Sequence, residues 1–140
     1  MRYLKQTDNF SCGVMAAMNL DIWRGKKVRR SDFEYYRKGV QCKQCTYPSK
    51  FSRWVKSYPV TLNWPELKTH LCHKGSAVIL TCRIHAHLQG VNHFYFVDKL
   101  SEDGNWARCI NIYSDATVMW VHWRRLCKLL LRSSVWTFER

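Results

Sequence analysis

The feature that most constrains this chain is a change of character at residue 12. Residues 6–11 (Gln-Thr-Asp-Asn-Phe-Ser) are polar and loop-forming, and they run directly into Cys12-Gly13-Val14-Met15-Ala16-Ala17-Met18, which is small, apolar and helix-favouring. Such a junction starts a helix at or near Cys12. Val14, Ala17, Met18 and Ile22 fall close to one face, and Gly25 ends the helix after Trp23. Backbone N–H groups at a helix N-terminus favour negative charge, so a thiol placed there is expected to have a lowered pKa. Gln6 precedes the cysteine by six residues. Its side-chain amide can loop back beside the sulfur as a donor to a developing oxyanion.

A nucleophilic cysteine needs a base, and the base needs something to orient it. Asn92-His93-Phe94-Tyr95-Phe96-Val97-Asp98 places a histidine at the start of a run that reads as a strand. After a Glu-Asp-Gly-Asn turn, Ala107 to Tyr113 reads as a second strand, with Asn111 a candidate to hold the imidazole. With Gln6, Cys12-Gly13, Leu67…Leu71…Gly75…Val78-Ile79-Leu80 and the His93-led hydrophobic strand in this order, the chain resembles the papain-like cysteine peptidases of the C39 and C39-like group. The resemblance covers nearly the whole chain. It implies a cysteine peptidase with Cys12 as nucleophile, His93 as base, Asn111 as its orienting partner and Gln6 in the oxyanion hole. Such an enzyme would hydrolyse a peptide or isopeptide bond of a peptide or protein substrate without metal or organic cofactor. Two positions depart from the family pattern. Ser11 stands where the family commonly carries Asp, and Asn-Ile-Tyr replaces the usual Asp-Pro. Asp115 is the alternative orienting residue if the strand register differs.

The 140 residues suit one domain, 1–140, with 46% hydrophobic and 14% aromatic residues to build a core. No apolar run is long enough to span a membrane, and residues 1–10 carry no signal-like apolar segment, so a cytoplasmic protein is expected. Seven cysteines, an odd number, fit reduced thiols better than a disulfide framework. The formal charge of +13 favours an acidic partner: nucleic acid, an anionic surface or an acidic protein.

Along the chain, Lys26-Lys27-Val28-Arg29-Arg30 is a basic connector. Ser31 caps a helix over Asp32–Lys38 that Gly39 closes. Pro48-Ser49 opens a third helix through Phe51, Trp54 and Val55 that ends near Pro59, Val60–Asn63 reads as a short strand, and Trp64-Pro65-Glu66 starts a helix reaching up to Gly75. Strands follow over Ala77–Ile84, from His93 and over Ala107–Tyr113. Thr117–Val121 is a further strand, His122–Leu131 a helix and Val135–Phe138 a last strand. Helices first and antiparallel strands later is an α+β order. The expected architecture is a papain-like fold with N-terminal helices packed on an antiparallel sheet.

Other clusters carry weaker signals. Cys42 and Cys45 with His70, Cys72 and His73 have zinc-ligand chemistry, but no recognised finger spacing, and His85 and His87 alternate along a loop; neither set is taken as a metal site. Two other readings remain open on the sequence: a catalytically silent papain-like binding module, and a basic nucleic-acid-binding protein motivated by charge alone.

Overall fold

The computed structural model describes residues 2–8, 10–42, 45–46, 48–82, 93–113, 116–130 and 134–140. Its helices are α1 (Cys12–Trp23), α2 (Phe33–Val40), α3 (Pro48–Val55), α4 (Trp64–Cys72) and α5 (Trp123–Leu130). A small hairpin pairs β1 (Gln41–Cys42) with β2 (Cys45–Thr46). The main sheet contains β3 (Ser76–Cys82), β4 (His93–Leu100), β5 (Trp106–Tyr113), β6 (Ala116–His122) and β7 (Val135–Glu139). Its five strands run β6-β5-β4-β3-β7, every neighbouring pair antiparallel. The α+β expectation holds, and α1 has the boundaries read from the sequence.

Side-chain alternation on β3 and β4 explains why both strands read as continuous apolar runs: both of their faces are covered. Ile79, Phe94 and Phe96 face α1, α2 and α3. Val78, Leu80, Tyr95 and Val97 face Leu67 and Leu71 of α4 and Leu126 of α5. The sheet is therefore clothed on both sides. Helix α1 is buried from Cys12 through Leu20, not along one stripe, because α2 and α3 cover the side turned away from the sheet.

Several boundaries differ from the sequence reading; α3, for one, ends at Val55, short of Pro59. Helix α2 runs through Gly39 to Val40 after a 3₁₀ turn at Arg30–Asp32. Gly39 is an interior helix residue whose missing side chain makes room for the Trp54 ring, where an added Cβ would collide. Gly39→Ala is expected to cost about 1–3 kcal/mol, read from the urea midpoint of unfolding. Val60–Asn63 is not a strand; Val60 makes one isolated bridge to Val135, and Asn63 instead caps α4. Its side chain accepts from Glu66 N–H at 2.9 Å while Glu66 returns the bond to Asn63 N–H at 3.1 Å, a capping box.

Two irregularities in the sheet bear on the site. Register shifts between Val97 and Lys99 on β4, and between Ile110 and Tyr113 on β5. The first holds Asp98, buried against the Arg108 guanidinium and the Tyr3 hydroxyl, which donates at 2.7 Å. The second holds Asn111, whose φ of 60° lies in the left-handed region that Asn tolerates better than most residues.

Candidate active site

Cys12 is the first residue of α1, and the loop before it is built by Asp8. The Asp8 carboxylate accepts from the backbone N–H groups of Phe10 and Ser11, both at 2.8 Å, the geometry of an Asx turn. Burial alone would raise the Asp8 pKa, but bonds from Phe10 and from the Ser11 hydroxyl and N–H hold it below its ordinary value. From the other side, Gln41 Nε2 donates to the Phe10 carbonyl at 2.8 Å and fixes the loop to the β1–β2 hairpin. Gly13 permits that approach, since a Cβ there would run into the Thr46 side chain.

The Cys12 sulfur is buried at the end of the sheet, where the backbone N–H groups of Phe94, Gly13 and Cys12 itself are directed towards it. Phe94 is the residue after His93, so the nucleophile candidate lies against the start of β4. The thiol pKa nevertheless moves up. Burial is the largest cause, the three N–H groups oppose it, and the Asp8 carboxylate adds to the rise. This corrects the expectation of a lowered pKa: the helix N-terminus contributes as foreseen, but desolvation of a thiolate outweighs it. Iodoacetamide should therefore label Cys12 more slowly than exposed Cys72 at pH 7 and gain on it as pH rises. Cys12 outpacing Cys72 at pH 6, by mass spectrometry, would show instead a preformed thiolate–imidazolium pair.

His93 starts β4 opposite Cys82, with its ring stacked on Tyr95 at a centroid distance of 6.2 Å. Its Nε2 lies 2.6 Å from an oxygen of Asn111, and that oxygen is the backbone carbonyl. For this contact to be a hydrogen bond Nε2 must carry the proton, which leaves Nδ1 as the basic nitrogen. The Asn111 side chain is engaged elsewhere. Its Oδ1 accepts from Gln6 N–H at 3.0 Å, and its Nδ2 donates to the Leu4 carbonyl at 2.9 Å. One residue thus meets the imidazole through its main chain and the N-terminal segment through its side chain. The left-handed φ is what turns these groups in different directions.

Gln6 arrives on that same segment. Its Nε2 donates to the Asp8 carbonyl at 2.7 Å, and its buried Oε1 meets no hydrogen-bond partner among the described residues. Asn19 of α1 anchors the segment as well, accepting from Leu4 N–H at 2.9 Å and donating to the Leu4 carbonyl at 3.1 Å. Asp8 and Asn19 are contributors that the sequence reading did not single out. An Asp a few residues ahead of a helix start, and an Asn inside an apolar helical run, were the available signals.

The zinc-type set is divided by the fold. The hairpin bearing Cys42 and Cys45 packs by α1, while α4, with His70 and Cys72, lies across the sheet. Among the described residues no three His, Cys, Asp or Glu side chains gather as a metal site. His85, His87 and Asp115 lie outside the described residues.

No protein-family model and no curated protein sequence matches the chain. Solved structures do. The peptidase domain of Streptococcus ComA, a bi-functional ABC transporter involved in a quorum-sensing pathway, superposes with a TM-score of 0.75 at 14% identity over 98% of this chain and 97% of its own. A double-glycine motif protease from an AMS/PCAT transporter, in complex with a leader peptide, gives a TM-score of 0.72 at 11% identity over 99% and 91%. The Streptococcus mutans ComA peptidase domain gives 0.61 at 11% identity over 99% of both chains. At such identities the likeness is one of fold, and it extends from end to end. A helix opening on Cys12, laid against a strand opening on His93 in an antiparallel sheet, is the papain-like fold of the C39 transporter peptidase domains.

Proposed function

We propose that this chain is a cysteine peptidase acting as one domain, with Cys12 as nucleophile and His93 as general base and acid. The observation that carries the reading is the convergence on the start of β4: the Cys12 sulfur lies among N–H groups that include Phe94, while His93 is held by its far nitrogen on Asn111. As Nδ1 of His93 takes the thiol proton, the sulfur attacks the carbonyl carbon of the scissile bond. The oxyanion is met by the Cys12 backbone N–H and the second N–H of the Gln6 amide, each donor contributing about 3 kcal/mol. His93 then delivers the proton to the leaving amine as the C–N bond breaks, leaving a thioester on Cys12. Water, deprotonated by His93, releases the carboxylate product and restores the thiol.

A peptide is the substrate class, supported by the fold neighbour that holds a leader peptide. Among the described residues no helix is long and apolar enough to cross a membrane, and Cys12, Cys72, Cys109 and Cys127 form no disulfide. These features fit work in a reducing compartment such as the cytoplasm. The test is hydrolysis of a fluorogenic peptide library that includes double-glycine leader sequences. Turnover by the native chain and none by Cys12→Ala supports the proposal. Peptides that bind without being cut would leave a silent binding module on a peptidase scaffold.

A further inference from the structure

A second surface lies at the other end of α1. An open groove of about 700 Å³ separates the C-terminal part of α1 from α2 and α3. Asp21, on its floor, stands nine residues beyond Cys12, about 14 Å along the helix axis, so the groove is separate from the candidate active site. Three aromatic rings form its wall. Tyr35, Tyr36 and Trp54 pack edge to face with centroid distances of 5.2–5.8 Å, and Tyr35 is 69% exposed.

Four basic residues, Arg24, Lys26, Arg53 and Lys56, line the groove together with Asp21 and apolar Ala17, Leu20 and Val55. Arg24 and Lys26 share the Asp21 carboxylate, each at 3.7 Å, while the Tyr36 hydroxyl donates to it at 2.6 Å. No acidic side chain pairs with Arg53 or Lys56 among the described residues. Lys26 also begins the basic connector Lys26-Lys27-Val28-Arg29-Arg30. Lys56 is the odd residue. It follows the last residue of α3 with φ of 57°, a position and conformation that glycine fills at least cost, and its side chain lines the groove.

We infer that this groove binds single-stranded nucleic acid, with a base stacked on Tyr35 and phosphates held by Arg53 and Lys56. An exposed aromatic ring such as Tyr35 beside cations suits an unpaired strand: bases supply flat apolar surfaces, and phosphates supply regularly spaced negative charge. An acidic peptide would use the cations and leave the Tyr35 face without a partner. The chain's net charge of +13 strengthens attraction to any polyanion, so the test must separate stacking from charge.

The measurement is fluorescence anisotropy of a labelled oligothymidylate of about 20 nucleotides, longer than a single binding site of this kind. Tyr35→Ala should weaken binding about tenfold, and an abasic strand of equal length should bind the native chain correspondingly weakly. Lys56→Gly should weaken binding while raising the urea midpoint, a combination that a purely structural lysine would not give. Lys68→Ala/Lys128→Ala, on helices across the sheet, should weaken it far less than Arg53→Ala/Lys56→Gly. Cys12→Ala should bind like the native chain, so the result is independent of peptidase activity. Equal binding of abasic and base-bearing strands, or no effect of Tyr35→Ala, would overturn the inference in favour of bulk charge. Displacement of the strand by poly-glutamate at equal concentration, with Tyr35 indifferent, would overturn it in favour of an acidic-peptide groove.

Discussion

Cys12→Ala should lower kcat on any peptide the native chain cleaves by roughly 10⁴-fold or more, because without the sulfur no thioester can form. His93→Ala should cost about as much, and the double variant little more than either alone, since nucleophile and base act as a unit. The fold should survive the cysteine change. Alanine fits within the space of the buried thiol, and neighbouring Gly13, Met15 and Phe94 keep their places in the core. Circular dichroism and the urea midpoint provide the control, with loss of turnover at an unchanged midpoint the expected pair. If Cys12→Ala cleaves as well as the native chain, the site lies elsewhere. Alkali should also distinguish the two proteins. The folded chain holds the Cys12 thiol above its ordinary pKa, so the unfolded chain deprotonates first as pH rises. The native chain should therefore lose stability above the usual thiol range near pH 8.5, and Cys12→Ala should lose less over the same interval.

Asn111→Ala should lower kcat by about 10–100-fold and destabilise the chain by about 2–4 kcal/mol. Two hydrogen bonds to the N-terminal segment vanish, at about 1 kcal/mol each, and a φ of 60° strains an alanine by about 1 kcal/mol or more. Asn111→Gly separates these effects. Glycine adopts the left-handed conformation freely and keeps the carbonyl that meets His93 Nε2, but it offers nothing to Leu4 or Gln6. If the carbonyl orients the imidazole, Asn111→Gly should retain more activity than Asn111→Ala, with the remaining loss arising from a loosened Gln6. Equal and complete loss in both variants would assign the orienting role to the Asn111 side chain itself. The pH profile gives a second readout. An imidazole released from its carbonyl should shift the acid limb of kcat/KM in Asn111→Ala more than in Asn111→Gly.

What the sequence determined by itself is local and periodic. The polar-to-apolar junction at Cys12 placed a helix start there, and the start lies at that residue. Long apolar runs placed β3 to β5, and the order of helices and strands, with the motif order, led to the papain-like fold that the solved structures share. The choice of Gln6, Cys12, His93 and Asn111 as candidates also came from motif order. Tertiary structure decided what depends on surroundings. Whether the Cys12 thiol is lowered or raised turns on the balance between helix N–H groups and burial, and burial is a property of the packed chain. Whether Gly39 ends a helix or makes room for Trp54 depends on where α3 lies. Asn111 is the clearest case. Its residue type allowed a side chain to meet the histidine, but a register shift in β5 sets a left-handed backbone there and presents the carbonyl instead. No periodicity in the sequence records that shift, because it arises from pairing β5 with a neighbouring strand.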